Sequence, residues 1–215
     1  MESGAAHLRV GFRRELDEIN TKVIRLFALV SESVSAATAA LLDGDTETAR
    51  QLSVNDAIVD ELNADVEMLV QRQFTLQAPL ASDMRFLLAV LRMVPELERS
   101  ADLAEHIAQR AAHGLTPDLT PRLRGLIEQM GAVNVQLWRM AADAYAECDP
   151  EAAAKLNKLD DTLDDLHDDL LTELMRGELP LPSALQTALV GRFYERLGDH
   201  AVHVTERVRY IAGAS

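Results

Sequence analysis

Glu98-Arg99-Ser100-Ala101-Asp102-Leu103-Ala104-Glu105-His106 and Glu195-Arg196-Leu197-Gly198-Asp199-His200-Ala201-Val202-His203 carry Glu, Arg, Asp, Ala and His at the same five places. Each stretch lies inside a long run of helical periodicity, so the chain reads as one helical unit written twice. In both copies the Glu and the Asp are four residues apart, which stacks their carboxylates one turn above another on a single helix face. Stacked like charges are unfavourable unless water or a cation offsets them. Duplicated carboxylate helices are therefore the feature that a function must explain.

Working outward, the apolar residues before the first copy fall three or four apart. Leu16, Ile19, Val23, Leu26, Val30, Val34 and Leu41 predict an amphipathic helix from about Leu8 to Leu42. Asp43-Gly44-Asp45 breaks it, and Leu52, Val59, Leu62, Val66 and Leu69 stripe a second helix that Pro79 ends. Ser82 or Asp83 reads as the N-cap of a third, with Leu87, Val90, Val94, Leu97, Ala101 and Ala104 on its core face. Gly114, Pro117 and Pro121 mark a linker, and the cycle repeats. A fourth helix runs to about Glu147. A fifth follows the Asp149-Pro150 turn, with Pro150 at its first position, and carries Leu156, Leu159, Leu163, Leu166 and Leu170. A sixth, capped by Ser183, carries Leu197, Ala201, Val204 and Val208. No segment alternates with period two over a strand length. The expectation is an all-α fold of six long helices, two tandem up-down-up three-helix bundles with a boundary between 115 and 116.

Composition agrees. Of 215 residues, 48% are hydrophobic and 4% aromatic, so the core must be aliphatic, as in helix bundles. A net charge of −14 disfavours nucleic acid and anionic lipid, and suits cations or a basic partner patch. The single cysteine, Cys148, allows no internal disulfide, in keeping with a reducing cytoplasm. Met1 to His7 lacks the features of a signal peptide, and no apolar run reaches the roughly 18 residues that span a bilayer, so no membrane insertion is expected.

The acids then form a constellation. Asp56, Asp60 and Asn63 on the second helix share the i, i+4, i+7 spacing of Asp160, Asp164 and His167 on the fifth. The third helix has Glu98, Asp102 and, four residues on, His106; the sixth has Glu195, Asp199 and His203. Glu98 follows Val94 by four residues, a rotation of only about 40°, so these polar stripes rim the apolar ones. Where hairpin neighbours face each other, each unit gathers up to four carboxylates. Four unpaired carboxylates at such range do not all stay ionised. A hard cation removes the conflict, which predicts one metal site per unit. The competing reading is ordinary solvation, since most of the 35 acids must simply face water. Arg99 and Arg196 are alternative counter-charges. His106 and His203 read as surface residues or as groups behind the site.

Ala78-Pro79-Leu80-Ala81-Ser82-Asp83-Met84-Arg85, followed at helical distance by Glu96-Leu97-Glu98-Arg99-Ser100-Ala101-Asp102, resembles the P-x-A-S-D-L-R…E-R-x-G-D pattern of PhoU proteins. Leu41-Leu42-Asp43-Gly44-Asp45 with Ala49, Asp56 and Asp60 resembles that family's first hairpin, and Tyr194-Glu195-Arg196-Leu197-Gly198-Asp199-His200-Ala201 its second E-R-x-G-D-H. The resemblance implies a six-helix regulator of phosphate uptake and of the phosphate-starvation response. Such a protein is a non-enzymatic adaptor at the cytoplasmic face of the membrane, between the ATPase subunit of a phosphate ABC transporter and a sensor histidine kinase. It restrains both when phosphate is plentiful, and a homodimer is expected. The resemblance also implies metal ligands in pairs: Asp56 and Asp60 with Glu98 and Asp102, and Asp160 and Asp164 with Glu195 and Asp199. Iron or zinc is expected, with magnesium or manganese as the alternatives. Ala101 departs from the usual Gly, His203 from a common Asn, and Leu181-Pro182-Ser183-Ala184 replaces the S-D-L-R segment. The rival class is a carboxylate-bridged metal enzyme of helical-bundle type. It would need an open coordination position and a substrate pocket, and the sequence offers no second catalytic group beside the acids.

Overall fold

The computed structural model describes residues 2–76 and 80–213, with side chains from Gly11 onward except at positions 55 and 76. Six long helices follow one another: α1 (Glu2–Asp43), α2 (Thr46–Leu76), α3 (Ala81–Ala112), α4 (Pro121–Glu147), α5 (Ala152–Leu174) and α6 (Leu181–Ile211). A single 3-10 turn, Thr116–Asp118, sits in the connection between α3 and α4, just after the expected boundary. No strand occurs among the described residues. The chain is all-α, as expected from its periodicity.

Each half folds up, down and up. In the first, α1 and α2 run antiparallel, with Gln73 donating to Glu15 at one end and Lys22 Nζ paired to Asp65 Oδ2 at 2.6 Å further along. Helices α1, α2 and α3 pack on one another, as do α4, α5 and α6. The halves meet where α1 packs on α4 and α3 on α6. Four central helices are thus flanked by α2 on one side and α5 on the other. The second hairpin is shorter mainly in its first arm: α5 has 23 residues against 31 in α2, whereas α6 and α3 have 31 and 32.

The apolar stripes of all six helices merge into one buried cluster, in which Val23, Leu26, Val90, Val94, Leu137, Leu163 and Leu197 have no exposed surface. The aromatic residues concentrate where the halves meet. Phe27 of α1 stands 6.3 Å from Trp138 and 5.3 Å from Tyr145, both on α4, measured between ring centres. Burying such rings contributes several kcal/mol, roughly 25 cal/mol per Å² of apolar surface. Close approach of α1 to α4 needs a residue without a side chain. A Cβ at Gly131 would lie 2.5 Å from the Thr38 side chain. Thr38 in turn shares a 2.8 Å hydrogen bond with the Tyr194 hydroxyl, and Asn134 Nδ2 donates to the Tyr194 carbonyl at 3.1 Å. These contacts tie α1, α4 and α6 together at the centre.

Several local expectations shift. Helix α3 starts at Ala81 after an extended Leu80, so Ser82 and Asp83 lie in its first turn instead of capping it. Asp83 there still complements the helix dipole. Pro79, expected to end α2, lies outside the described residues. Helix α6 starts at Leu181, because Pro182 fits a first turn where its missing N–H has no partner to lose. Ser183 is buried and donates to Asp118 instead of capping. Pro150 and Glu151 fall in the turn, and Asp149 Oδ1 accepts from the Glu151 N–H at 2.9 Å ahead of α5. Pro95 lies inside α3 and cannot donate to the carbonyl one turn back, which weakens the ladder just before Glu98.

Within Gly11–Asp43 an 18-residue stretch of α1 reaches a mean hydropathy of 1.4, enough by length and composition to cross a bilayer, a test that a buried core helix also passes. Ser and Thr interrupt the run without lowering the average much. The stripe of Ile19, Val23, Leu26, Val30 and Val34 is fully buried in the bundle core.

Candidate functional site

The two hairpin seams, α2 with α3 and α5 with α6, carry the acids. In the first seam the Asp102 carboxylate bears on Asp56 from across the helices, while Asp60 and Asp102 both press on Glu98. In the second, Asp160 feels Asp164 on its own helix and Asp199 and Glu195 on the other. All eight predicted residues therefore lie along the two seams, four in each. Asp60 and Asp164 are exposed; the other six are half-buried.

This placement has an electrostatic cost. Asp56 is pushed up to about 7, first by burial and then by Asp102, Asp60 and Glu105. Asp160 is pushed up to about 6, first by burial and then by Asp164, Asp199 and Glu195. Burial also raises Glu98, Asp164 and Glu195 above their ordinary values, with neighbouring carboxylates adding to it. Asp56 Oδ1 is buried and has no hydrogen-bond partner, and neither does Asn63 Oδ1 two turns along the same face. Buried oxygens in that condition want a donor or a cation. Among the described residues, no three carboxylate, imidazole or thiol groups converge tightly enough to hold an ion as they stand. The seams offer oxygen donors and surplus negative charge, and a ligand cage would need carboxylate rotamers to turn inward.

The second seam is tighter than the first. A Cβ at Gly198 would collide with Asp160 Oδ1 and lie 2.6 Å from Leu163, so only glycine lets α6 approach α5 this closely. A Cβ at Gly191 would lie 2.9 Å from Leu170 and 3.0 Å from the His167 ring. His167 offsets the charge of Asp164 and Glu195. In the first seam Ala101 stands where Gly198 does.

The counter-charges are not all those expected. Arg99 lies 3.6 Å from Glu96 and lowers Glu98 slightly. In the second seam it is Arg192, three residues before Glu195, that pairs with that glutamate; Arg196 makes no ion pair among the described residues. Glu105 was also missed: it accepts from Ser53 and adds to the charge on Asp56. Its position three residues after Asp102 was the available signal. His200, which received no role from the sequence, is buried between α3 and α6. Its Nδ1 meets Ser100 Oγ at 3.0 Å and its Nε2 lies 3.5 Å from Glu96. Burial holds its pKa below the ordinary value, against the pull of Glu96. His106 and His203, in contrast, are exposed.

A family model described as the PhoU domain matches twice, over residues 23–111 and 127–208, once in each half. The phosphate-specific transport system accessory protein PhoU homolog 2 of Mycobacterium tuberculosis is 33% identical over 208 residues, covering 95% of this chain and 98% of the relative. PhoU homolog 1 of Mycobacterium leprae is 32% identical over 211 residues, covering 97% and 95%. Among solved structures, PhoU from Pseudomonas aeruginosa superposes with a TM-score of 0.88 at 26% identity, over 95% of this chain and all of the other. The fold, the repeat and these relatives agree: the chain belongs to the PhoU family.

Proposed function

We propose that this chain is an accessory and regulatory protein of phosphate uptake, and that it works as a non-enzymatic adaptor. It sits at the cytoplasmic face of the membrane, as a homodimer, between the ATPase subunit of a phosphate ABC transporter and a sensor histidine kinase. With phosphate plentiful it restrains both. The observation that carries the reading is the family match in both repeats, together with relatives named as accessory proteins of phosphate-specific transport that align over nearly the whole chain.

Metal binding in the seams is part of the same proposal. Asp56, Asp60, Glu98 and Asp102 would hold ions in the first seam, and Asp160, Asp164, Glu195 and Asp199 in the second. Iron or zinc is the first choice, with magnesium or manganese second. The donor chemistry fits: the unpartnered Asp56 Oδ1 and the raised carboxylates of both seams are what a bound cation would relieve. A bound ion supplies charge neutralisation and cross-links two helices of each hairpin. Two clefts among the described residues lie away from the seams, one lined by Leu42, Gly44, Thr116 and Arg124 and one by Ser35, Gly131 and Arg139.

A deletion strain with a phosphate-starvation reporter tests the adaptor role. The reporter should stay on in high phosphate without the chain and be shut off when the chain is restored. Purified chain should co-precipitate with the ATPase subunit and with the kinase's cytoplasmic part. If neither partner binds in low or high phosphate, the proposal fails.

A further inference from the structure

The outward arc of α6 carries leucines where a solvated helix carries polar residues. Leu181, Leu185 and Leu189 stand four apart and are 72, 58 and 43% exposed. Met175, 78% exposed, lies in the turn that leads into the helix. Arg192 and Arg196, both exposed, continue the arc. At 100° per residue, the side chains from Leu181 to Arg196 in this set fall within a sector of about 80°. Where the halves meet, α3 adds to the same border. Arg110 lies 5.6 Å from the centre of the Phe193 ring and is held by Gln186 Oε1 at 2.6 Å, and His106 stacks 5.7 Å from the same ring.

Single exposed leucines are ordinary, but three in register beside a row of arginines form a patch. Arg192 is taken up by Glu195, which leaves Arg196 as the unpaired charge at the end of the track among the described residues, in a chain whose net charge is −14. Leucines at i, i+4 and i+8 present a helix-length apolar track, and Arg196 at its end selects for carboxylates. A flat anionic membrane pressed on this face would also meet the acids of the α5–α6 seam beside the arc. A single helix, about 10 Å across, touches the arc alone. Two copies joined arc to arc by a two-fold axis would set Arg196 against Arg196 or against the Leu181 end of the other copy, and neither arrangement supplies an acidic helix end.

We propose that the outer arc of α6 docks an amphipathic helix of a partner protein, its apolar residues on Leu181, Leu185 and Leu189 and its acidic end at Arg196. The inference rests on the adaptor reading and supplies the surface that reading lacks. The probe is a fluorescein-labelled 18-residue synthetic helix with leucines at i, i+4 and i+8 and glutamates in its last two turns, followed by anisotropy. Saturable binding should weaken at least tenfold in Leu185→Glu and in Arg196→Glu, and stay unchanged in Ile24→Glu, an exposed apolar site on α1. Absence of saturable binding to the wild-type chain, or equal affinity in all three variants, overturns the proposal. So does loss by Leu185→Glu of self-association in sedimentation, or of binding to phosphatidylglycerol vesicles, in place of peptide binding. The reporter strain separates the two readings. If Leu185→Glu keeps full regulation, the docking surface is wrong and the adaptor stands; if the wild-type chain restores no regulation, the adaptor reading is wrong.

Discussion

Asp56 and Asp160 bear the largest electrostatic load in their seams, and the consequence for stability has a definite sign. Each has a folded-state pKa above the ordinary 3.8, at about 7 and about 6. As pH rises from 4, the unfolded chain releases these protons before the folded chain does, so the metal-free protein loses stability up to pH 6–7 and is flat beyond. Asp56→Asn and Asp160→Asn should remove most of that slope and raise the metal-free Tm at pH 8. At this chain length each kcal/mol recovered is worth roughly 2–4 °C. Thermal melts from pH 5 to 8 in chelator check it, and a wild-type Tm that rises with pH contradicts it. Added cation should raise Tm more at pH 8 than at pH 5, because protons compete for the same oxygens. At this scale the sequence was partly legible. The four-residue spacing of Glu98 with Asp102 and of Glu195 with Asp199 located the seam acids. The special burden on Asp56 was not legible, because it comes from burial and from Asp102 on another helix. Arg192 was overlooked in favour of Arg196, since a one-letter repeat does not show which arginine turns toward the seam.

At the scale of elements, two glycines set how closely helices pack. Gly131→Ala drives a Cβ into Thr38, and Gly198→Ala drives one into Asp160 and Leu163. Each should cost about 1–3 kcal/mol by overpacking, read as a lower denaturation midpoint at unchanged m-value. The Gly198 variant should also weaken any metal held by Asp160, because α5 must move away. The helices themselves were legible from their three-and-four apolar spacing, and so were the connections at Gly44 and Gly114. Helix starts were less so. Pro182 and the preceding proline make a first turn without any side-chain cap, so Ser183 was free to reach Asp118 instead. The two halves also differ by a shortened α5, which periodicity alone cannot apportion between the arms of a hairpin.

Across the whole molecule, the halves are tied by contacts far apart in sequence. The Thr38–Tyr194 hydrogen bond spans 156 residues and the Ser100–His200 contact 100. Nothing local announces them, which is why the sequence showed two units and not their shared core. Tyr194→Phe should cost about 0.5–1.5 kcal/mol, the net worth of a buried hydrogen bond, with one cooperative unfolding transition retained. Two separate transitions in calorimetry would show that the halves unfold independently. The central claim concerns the twin seams, and metal content tests it most directly. The chain purified without chelator should carry at least one transition or alkaline-earth ion per seam by plasma mass spectrometry. Asp56→Asn combined with Glu98→Gln should empty the first seam and leave the second filled. A chain with no stoichiometric metal, and with a Tm unmoved by added iron, zinc, manganese or magnesium, would contradict the account.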